Sequence, residues 1–163
     1  MIEAAPALFV ALEQSGFAAS IRQSTWLYPA ANIGHIVSLT FFAGAIAVMD
    51  VRLLGGLAAT APARLLARAR NFAFAALAGM AMTGAVLFSA EASHLAVNRA
   101  FQLKVVLIAA GLVNIAIYEL WARRAVERLQ PGTPMPPRAK IAAAFSLGIW
   151  VAVAACGRSI AYF

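Results

Sequence analysis

The sequence predicts an all-α membrane protein, a four-transmembrane-helix bundle with an N-terminal interfacial amphipathic helix. Of its 163 residues, 63% are hydrophobic and 12% are charged, whereas soluble domains average about 25% charged residues. Four nearly uncharged apolar stretches divide the chain: Asn32–Met49, Phe72–Ala90, Val105–Leu120 and Ile141–Ala155. With its flanks, each stretch reaches the ~20 residues that a helix needs to cross a bilayer. We therefore expect a single integral membrane domain over residues 1–163, with no room for a separate soluble domain.

The elements follow one another along the chain. Residues 7–24 place apolar side chains on one side and polar side chains on the others, which is typical of a helix lying in the membrane interface. A short helix packed against its own bundle is the open alternative. The transmembrane helices are expected over residues 29–52, 70–93, 101–122 and 140–161.

The connections carry helix-start and helix-breaking signals. Thr60 is a cap candidate and Pro62 stands near a first helical position, so the second helix is predicted to begin near them. Residues 130–137 contain four prolines, which exclude a helix and predict a stiff extended linker.

Small residues recur in the spans at intervals that predict close helix packing. Those positions are Thr40 and Gly44 in span one, Ala75, Gly79 and Thr83 in span two, Gly111 in span three and Gly148 in span four.

The distribution of basic residues predicts the topology. Nine of the 13 fall in two connections, between spans one and two and between spans three and four. Basic residues in short loops stay in the cytoplasm, so both termini and residues 91–100 are expected to face outward (N-out, C-out). The arginine-rich, alanine-rich composition suggests a high-GC bacterial genome, and we expect the chain in the bacterial inner (cytoplasmic) membrane. Because the net charge of +7 belongs to helix ends, it does not indicate nucleic-acid binding.

Ionisable residues near one end of the spans are the candidate site, since such groups are costly in a membrane and mark functional positions. His35 lies ~10 Å inside span one, counted from Tyr28 at 1.5 Å per residue. His94 follows span two, Lys104 opens span three and Arg158 closes span four. Facing imidazoles are the usual axial pair of a b-type haem, and cations at its edge meet the propionates. These four residues are predicted to bind haem b or, alternatively, copper, with the histidines as metal ligands.

Helical depth weighs against this pair of ligands. Counted from the basic residues at the opposite end, the depths of His35 and His94 differ by ~10 Å in straight helices. The alternatives are a buried His35 hydrogen-bonded within the bundle and a His94 in a wet interfacial loop.

One face of span three is a second candidate. Lys104, Gly111, Asn114 and Tyr118 lie roughly along it. This pattern predicts either a polar cavity or a simple hydrogen bond from Asn114 to another helix.

Sulfur-bearing side chains are weaker candidates. Met80 and Met82 offer thioethers for copper(I) or haem, but methionines in such positions are more often packing residues. Cys156 is the single cysteine, which excludes an intrachain disulfide and any paired-cysteine metal motif.

Four runs of sequence carry a resemblance: Trp26–Pro29 followed by His35 and Gly44, Asp50–Gly55, Asn98–Lys104 and Gly157–Tyr162. Across nearly the whole chain they resemble an uncharacterised bacterial family of four-helix membrane proteins, which has no assigned activity to transfer. The chain is more remotely similar to CopD copper-resistance proteins and small membrane cytochromes b. In those proteins, histidines on the outer halves of helices bind metal or haem. This resemblance implies a ligand role for His35 only.

Three classes of function follow. The first is an electron carrier with one haem near the periplasmic side, serving quinol or a periplasmic redox partner. The second is a non-catalytic accessory subunit of a larger membrane complex, and the third is a copper or small-solute permease that would need a homo-oligomer. None of them makes the chain an enzyme by itself.

Overall fold

The computed structural model describes residues 5–162, and every regular element in that range is helical. The helices are α1 (Ala7–Glu13), α2 (Gly16–Gln23), α3 (Leu27–Leu54), α4 (Pro62–Ala90), α5 (Ala92–Val97), α6 (Arg99–Ile117), α7 (Arg123–Glu127) and α8 (Pro137–Ser159). A π-helical turn, Tyr118–Ala122, joins α6 to α7, and a 3-10 turn, Ile160–Tyr162, follows α8.

Four segments are long and apolar enough to cross a membrane: Leu27–Leu54, Pro62–Ala90, Arg99–Glu127 and Pro137–Tyr162. They pack together, while their outward surfaces carry large exposed apolar side chains such as Phe41, Phe72 and Phe145. Exposed apolar side chains suit a lipid environment, where no hydrophobic penalty attaches to them. The predicted fold class, an all-α bundle of four membrane helices, is confirmed.

Two antiparallel helix pairs build the bundle. α3 packs along α4, α6 packs along α8, and α3 also contacts α8. Glycines permit the close approaches: a Cβ added at Gly79 would lie 2.6 Å from Ser38 Oγ, and one at Gly111 would lie 2.9 Å from the Trp150 ring. An added Cβ at Gly44 or Gly148 would meet nothing within 4 Å, so the predicted close packing at those two glycines is wrong.

The two ends of the bundle differ, and we name them by their residues. The arginine-rich end holds the connections 55–61 and 128–136, and the histidine end holds α1, α2 and α5. At the arginine-rich end, Gly55 ends α3 with a φ of 112°, a left-handed conformation that favours glycine. The Gly132 amide donates to the Ala58 carbonyl at 2.8 Å and ties the two connections together.

At the start of α4, the predicted position of the proline is confirmed and the predicted cap is wrong. Pro62 occupies the first turn, as expected, because its missing amide hydrogen has no partner to lose there. The cap position, however, belongs to Ala61. The Thr60 hydroxyl donates instead to the Leu57 carbonyl at 2.7 Å, so Thr60 stabilises the connection and not the helix end.

The N-terminal segment differs from the single helix expected over residues 7–24. It forms α1 and α2, because Ser15 breaks the helix and caps α2 by accepting from the Ala18 amide at 3.2 Å. α1 contacts α5 and α2 contacts α4, and Ala18 and Ile21 are buried. The alternative of short helices packed against their own bundle therefore describes this segment.

The third span is interrupted near the arginine-rich end. Its helix begins at Arg99, passes through the π-helical turn and continues as α7 to Glu127. Such turns insert an extra residue and are frequent at functional sites. Here the turn brings Tyr118 and Glu119 to the wall of an internal cavity.

Candidate functional site

His35 faces the neighbouring helix α4. It lies eight residues after Leu27, the first residue of α3, which places it ~12 Å along the helix axis. Its Nδ1 is 3.0 Å from the Thr83 hydroxyl oxygen. Gly84 makes room for the ring, since an added Cβ there would lie 3.3 Å from His35 Cε1. This contact agrees with the expectation that His35 points into the bundle.

The hydrogen-bond chain assigns the proton on the imidazole. The Thr83 hydroxyl donates to the Gly79 carbonyl at 2.7 Å. Since a hydroxyl has one hydrogen, we infer that it accepts from His35 and that Nδ1 is the protonated nitrogen of the neutral ring. Nε2 therefore carries the lone pair, which is the form of histidine that binds a metal.

Lys104 lies at the same level of the bundle as His35. It is half-buried on α6, and a Cβ added at Gly157 of α8 would lie 3.5 Å from its Nζ. Its ammonium charge is close enough to act on the His35 imidazole. His35, Thr83, Lys104 and Gly157 thus bring all four long helices to one position near the histidine end.

His94 and Arg158 lie at the surface of the same end. The exposed His94 stands on α5, near enough to the Glu13 carboxylate for their charges to interact. The Arg158 guanidinium covers the Tyr162 ring at 4.6 Å and donates to its hydroxyl at 2.5 Å. α4 continues seven residues beyond Thr83 before it ends, so His94 lies more than ~10 Å past the level of His35. Lys104 thus lies within electrostatic range of His35, whereas His94 lies beyond the end of α4.

The other proposed ligands are scattered. Between residues 5 and 162, no three His, Cys, Asp or Glu side chains are grouped closely enough to hold a metal ion. Met80 is buried in an apolar cluster and Met82 is exposed, while Cys156 is half-buried.

A second polar region lies near the arginine-rich end. A cavity of about 50 Å³ extends between the four long segments. Its polar wall consists of Asp50, Arg70, Asn114, Tyr118, Glu119 and Ser146. Asn114 and Tyr118 of the predicted polar face line it, whereas Lys104 and Gly111 of that face do not. Asn114 also donates to the Ala142 carbonyl at 3.0 Å, which is the predicted hydrogen bond to another helix.

Asp50 is the least satisfied group in this cavity. Only 4% of its surface is exposed, and its Oδ2 has no hydrogen-bond partner among the described residues. The Ser146 side chain adjoins the carboxyl group. Within residues 5–162, no cation lies within 4.0 Å of it. Buried charges are normally paired, so the unpaired Asp50 carboxyl group is unusual among the described residues.

Four ion pairs lie at the side of the cavity that faces the arginine-rich end. Arg70 contacts Glu119 at 3.5 Å and Glu127 at 3.4 Å. Arg123 contacts the same two carboxylates at 2.8 Å each. The Arg70 and Glu119 side chains are 16% and 23% exposed, so this network connects the cavity wall to the surface of the protein.

Asp50 is not among the sequence-predicted candidates, because it stands at the edge of an apolar stretch, where a charged residue is typical of the boundary of a span. The helical spacing of the apolar residues around Asp50 does indicate that this residue is buried. Phe42, Ile46 and Leu53 follow the i, i+4, i+11 pattern of one buried face, and Asp50 at i+8 falls on that face. A carboxylate on an apolar stripe predicts a buried site rather than a flank.

Comparison with known proteins assigns the chain to a family. Residues 16–163 match the family described as Family of unknown function (DUF6644). The chain belongs to this family. The match spans α2 to α8, so the DUF6644 unit includes the whole bundle and both polar regions. Comparison with curated proteins found no match, and comparison with solved structures found none either. The predicted resemblance to an uncharacterised four-helix family agrees with DUF6644, while the remoter likeness to CopD proteins and cytochromes b stays a prediction.

Proposed function

We propose that the histidine end binds one b-type haem through His35 Nε2 and that the protein carries electrons within a membrane. The observation that supports this is the chain from His35 Nδ1–H to the Thr83 hydroxyl and on to the Gly79 carbonyl. A histidine that ligates a metal almost always donates its other N–H to a fixed acceptor, which sets the tautomer and the ring orientation.

Haem suits this position better than a copper ion does. The haem macrocycle supplies four nitrogen ligands of its own, so one imidazole is enough to hold it. A copper ion would need further protein ligands, and no three potential His, Cys, Asp or Glu ligands are grouped in the described part of the chain. Copper remains the alternative for an assembly in which a second copy adds ligands.

The remaining candidate residues take different parts in this proposal. Lys104 supplies an ammonium group beside His35, where a haem propionate would form a charge-assisted hydrogen bond. Arg158 is exposed at the rim and available to the second propionate. His94 would need α5 to fold inward to become the second axial ligand, so we propose His35 as the protein ligand in this conformation.

The proposed topology puts this site near the periplasm. The two connections at the arginine-rich end follow the positive-inside rule, which orients both termini outward in a bacterial inner membrane. The haem would then exchange electrons with quinol in the membrane or with a periplasmic redox partner. Reporter fusions after Arg64 and after Gln130 should both report cytoplasm, and a periplasmic report from either one contradicts the orientation.

A visible spectrum tests the haem proposal. The wild-type protein, produced with haem supplied and purified in detergent, should show oxidised and reduced b-type bands. His35→Ala should remove those bands, and Thr83→Val should weaken haem retention by roughly 10-fold, as loss of such a supporting bond does. His94→Ala is the matched control and should retain the spectrum.

Two results would count against this function. A colourless wild-type protein would favour a non-catalytic accessory subunit, to be sought by copurification from native membranes. Haem bands that survive His35→Ala but disappear in His94→Ala would show that His94 on α5, and not His35, is the haem ligand.

A further inference from the structure

Asp50, at the arginine-rich end, lies far from the proposed haem site, and its possible role does not depend on haem binding. It lies 15 residues from His35 on α3, or ~22 Å along the helix axis. Its surface is 4% exposed and its Oδ2 is directed into protein without a hydrogen-bond partner among residues 5–162. The residue is therefore separate from the site proposed above.

The energetics of burial decide which ligand suits this group. An ionised carboxylate in a low-dielectric interior is costly unless a cation or several donors compensate its charge. Arg70, the nearest cation on the cavity wall, is engaged by Glu119 and Glu127. The smallest ligand that removes the cost is a proton, because a neutral carboxyl group needs no partner charge.

The cavity supplies a route for that proton. One water needs about 10–15 Å³ and two to four polar partners, so a cavity of about 50 Å³ admits a few. Asp50, Ser146, Asn114 and Tyr118 provide the polar partners along its wall. Glu119 stands on the same wall and is partly exposed at the arginine-rich end.

We propose that Asp50 is a proton-binding site that exchanges protons with the aqueous phase at the arginine-rich end through this cavity. The exchange is a transfer between the carboxyl group and water, so that Asp50 loses a proton as a water gains it. The charged or titratable groups around it are Arg52 on α3, Arg70 on α4, Tyr118 and Glu119 on the π-helical turn, and Arg123 and Glu127 on α7 behind Arg70. The cavity residues of α6 and α8 include Asn114 and Ser146, which do not titrate.

An apolar layer limits the proton route to one half of the bundle. Phe42, Ile46 and Met80 are buried together, with Trp150 packed against them. The Phe42 and Trp150 rings meet edge to face at 4.5 Å between centroids. This layer lies between Asp50 and His35 on α3. The proton therefore reaches Asp50 from the arginine-rich end only, and residues 5–162 form no continuous proton path to the histidine end.

The sequence offers a direct probe, because Asp50 is the only aspartate in the chain. Protein labelled with carbon-13 aspartate and reconstituted in vesicles gives infrared and NMR carboxyl signals from this one residue. At pH 7 we expect the signal of a protonated acid, which becomes a carboxylate signal at alkaline pH. Transfer to D2O should shift the acid band as the proton exchanges for deuterium.

Matched serine variants test the role of the cavity. Ser146→Ala removes the hydroxyl beside the carboxyl group and should increase the protonated fraction of Asp50 at each pH. Ser89→Ala removes an equally buried hydroxyl outside the cavity, one that bonds the Val86 carbonyl, and its titration should superimpose on that of the wild type.

Three results would overturn the proposal. The titration should cover roughly two pH units on each side of neutrality. A carboxylate signal at every pH in that range would show that Asp50 holds no proton. A signal that responds to sodium at fixed pH would make the ligand a metal cation. An acid band that never exchanges with D2O would show a sealed proton.

Discussion

The two polar regions of the bundle differ in how many hydrogen-bond partners they give to a buried ionisable group. At the histidine end, the proton of His35 Nδ1 has a fixed acceptor in Thr83, and the acceptor has its own fixed partner. At the arginine-rich end, Asp50 has an oxygen with no partner among the described residues and a cavity beside it. The first arrangement fixes the orientation of an imidazole, while the second, under our proposal, leaves a carboxyl group able to exchange its proton.

The apolar layer that keeps the two regions apart should be the most sensitive part of the bundle. Gly111→Leu would force side-chain atoms against the Trp150 ring, since even an added Cβ would lie only 2.9 Å from it. Because the ring also packs against Phe42, overpacking should cost about 1–3 kcal/mol. Thermal unfolding in detergent should show a lower midpoint.

Gly148→Leu is the matched control for that variant, because an added Cβ at Gly148 meets nothing within 4 Å. Its midpoint should stay close to that of the wild type. Equal losses in both variants would mean that leucine in any of these helices destabilises the protein, and the layer would lose its special role.

The ion pairs at the arginine-rich end should give the next largest effect on stability. Arg70→Ala leaves Glu119 and Glu127 with Arg123 as their shared cation. We expect a loss of about 1–2 kcal/mol, between the values for exposed and buried ion pairs, since the groups are partly exposed. Arg124→Ala, at an exposed position of α7, should change the midpoint little. A smaller effect for Arg70→Ala than for Arg124→Ala would contradict a stabilising role of this ion-pair network.

The contacts of the N-terminal helices should give the smallest effect. The Glu13 carboxylate accepts from the Ser93 amide at 2.7 Å and also from its hydroxyl. These bonds to Ser93 lower the pKa of Glu13 below its usual 4.5. A depressed pKa in the folded state stabilises the contact above pH 4.5, and this stabilisation is lost as the pH falls through the lowered pKa.

Hydrogen exchange of α1 amides checks that contact. Glu13→Gln should speed exchange two- to three-fold at pH 7, or ~0.5 kcal/mol for a partly solvated group, and should converge with the wild type in acid. Glu91→Gln is the control, because its partner is the Tyr28 hydroxyl at an exposed site. Identical behaviour of the two variants would remove Glu13 from the attachment of α1.

The long helices could be predicted from the sequence because the features that mark them lie within short stretches of the chain. Charge-free windows, Pro62 and Gly55 mark helix bounds without reference to the rest of the chain. The inward position of His35 also followed from its depth alone. These features depend on the backbone and on solvation, which a single stretch of sequence specifies.

The remainder depended on contacts between distant segments. The break at Ser15 is visible only with the capping bond to Ala18, and the π-helical turn has no marker in residues 118–122. Asp50 looked like a boundary residue until the packing of four segments enclosed it. Such features arise from tertiary packing, which overrides local propensity.

The tautomer of His35 is the most direct test of the account, because the ligand role rests on a free Nε2. The chain has two histidines, so nitrogen-15 histidine labelling of the His94→Ala variant gives the signals of His35 alone. At a pH of about 8, above the usual histidine pKa of ~6.5, we expect a protonated Nδ1 and an unprotonated Nε2, and we expect Thr83→Val to lose this preference. A proton on Nε2, unaffected by Thr83→Val, would contradict the account.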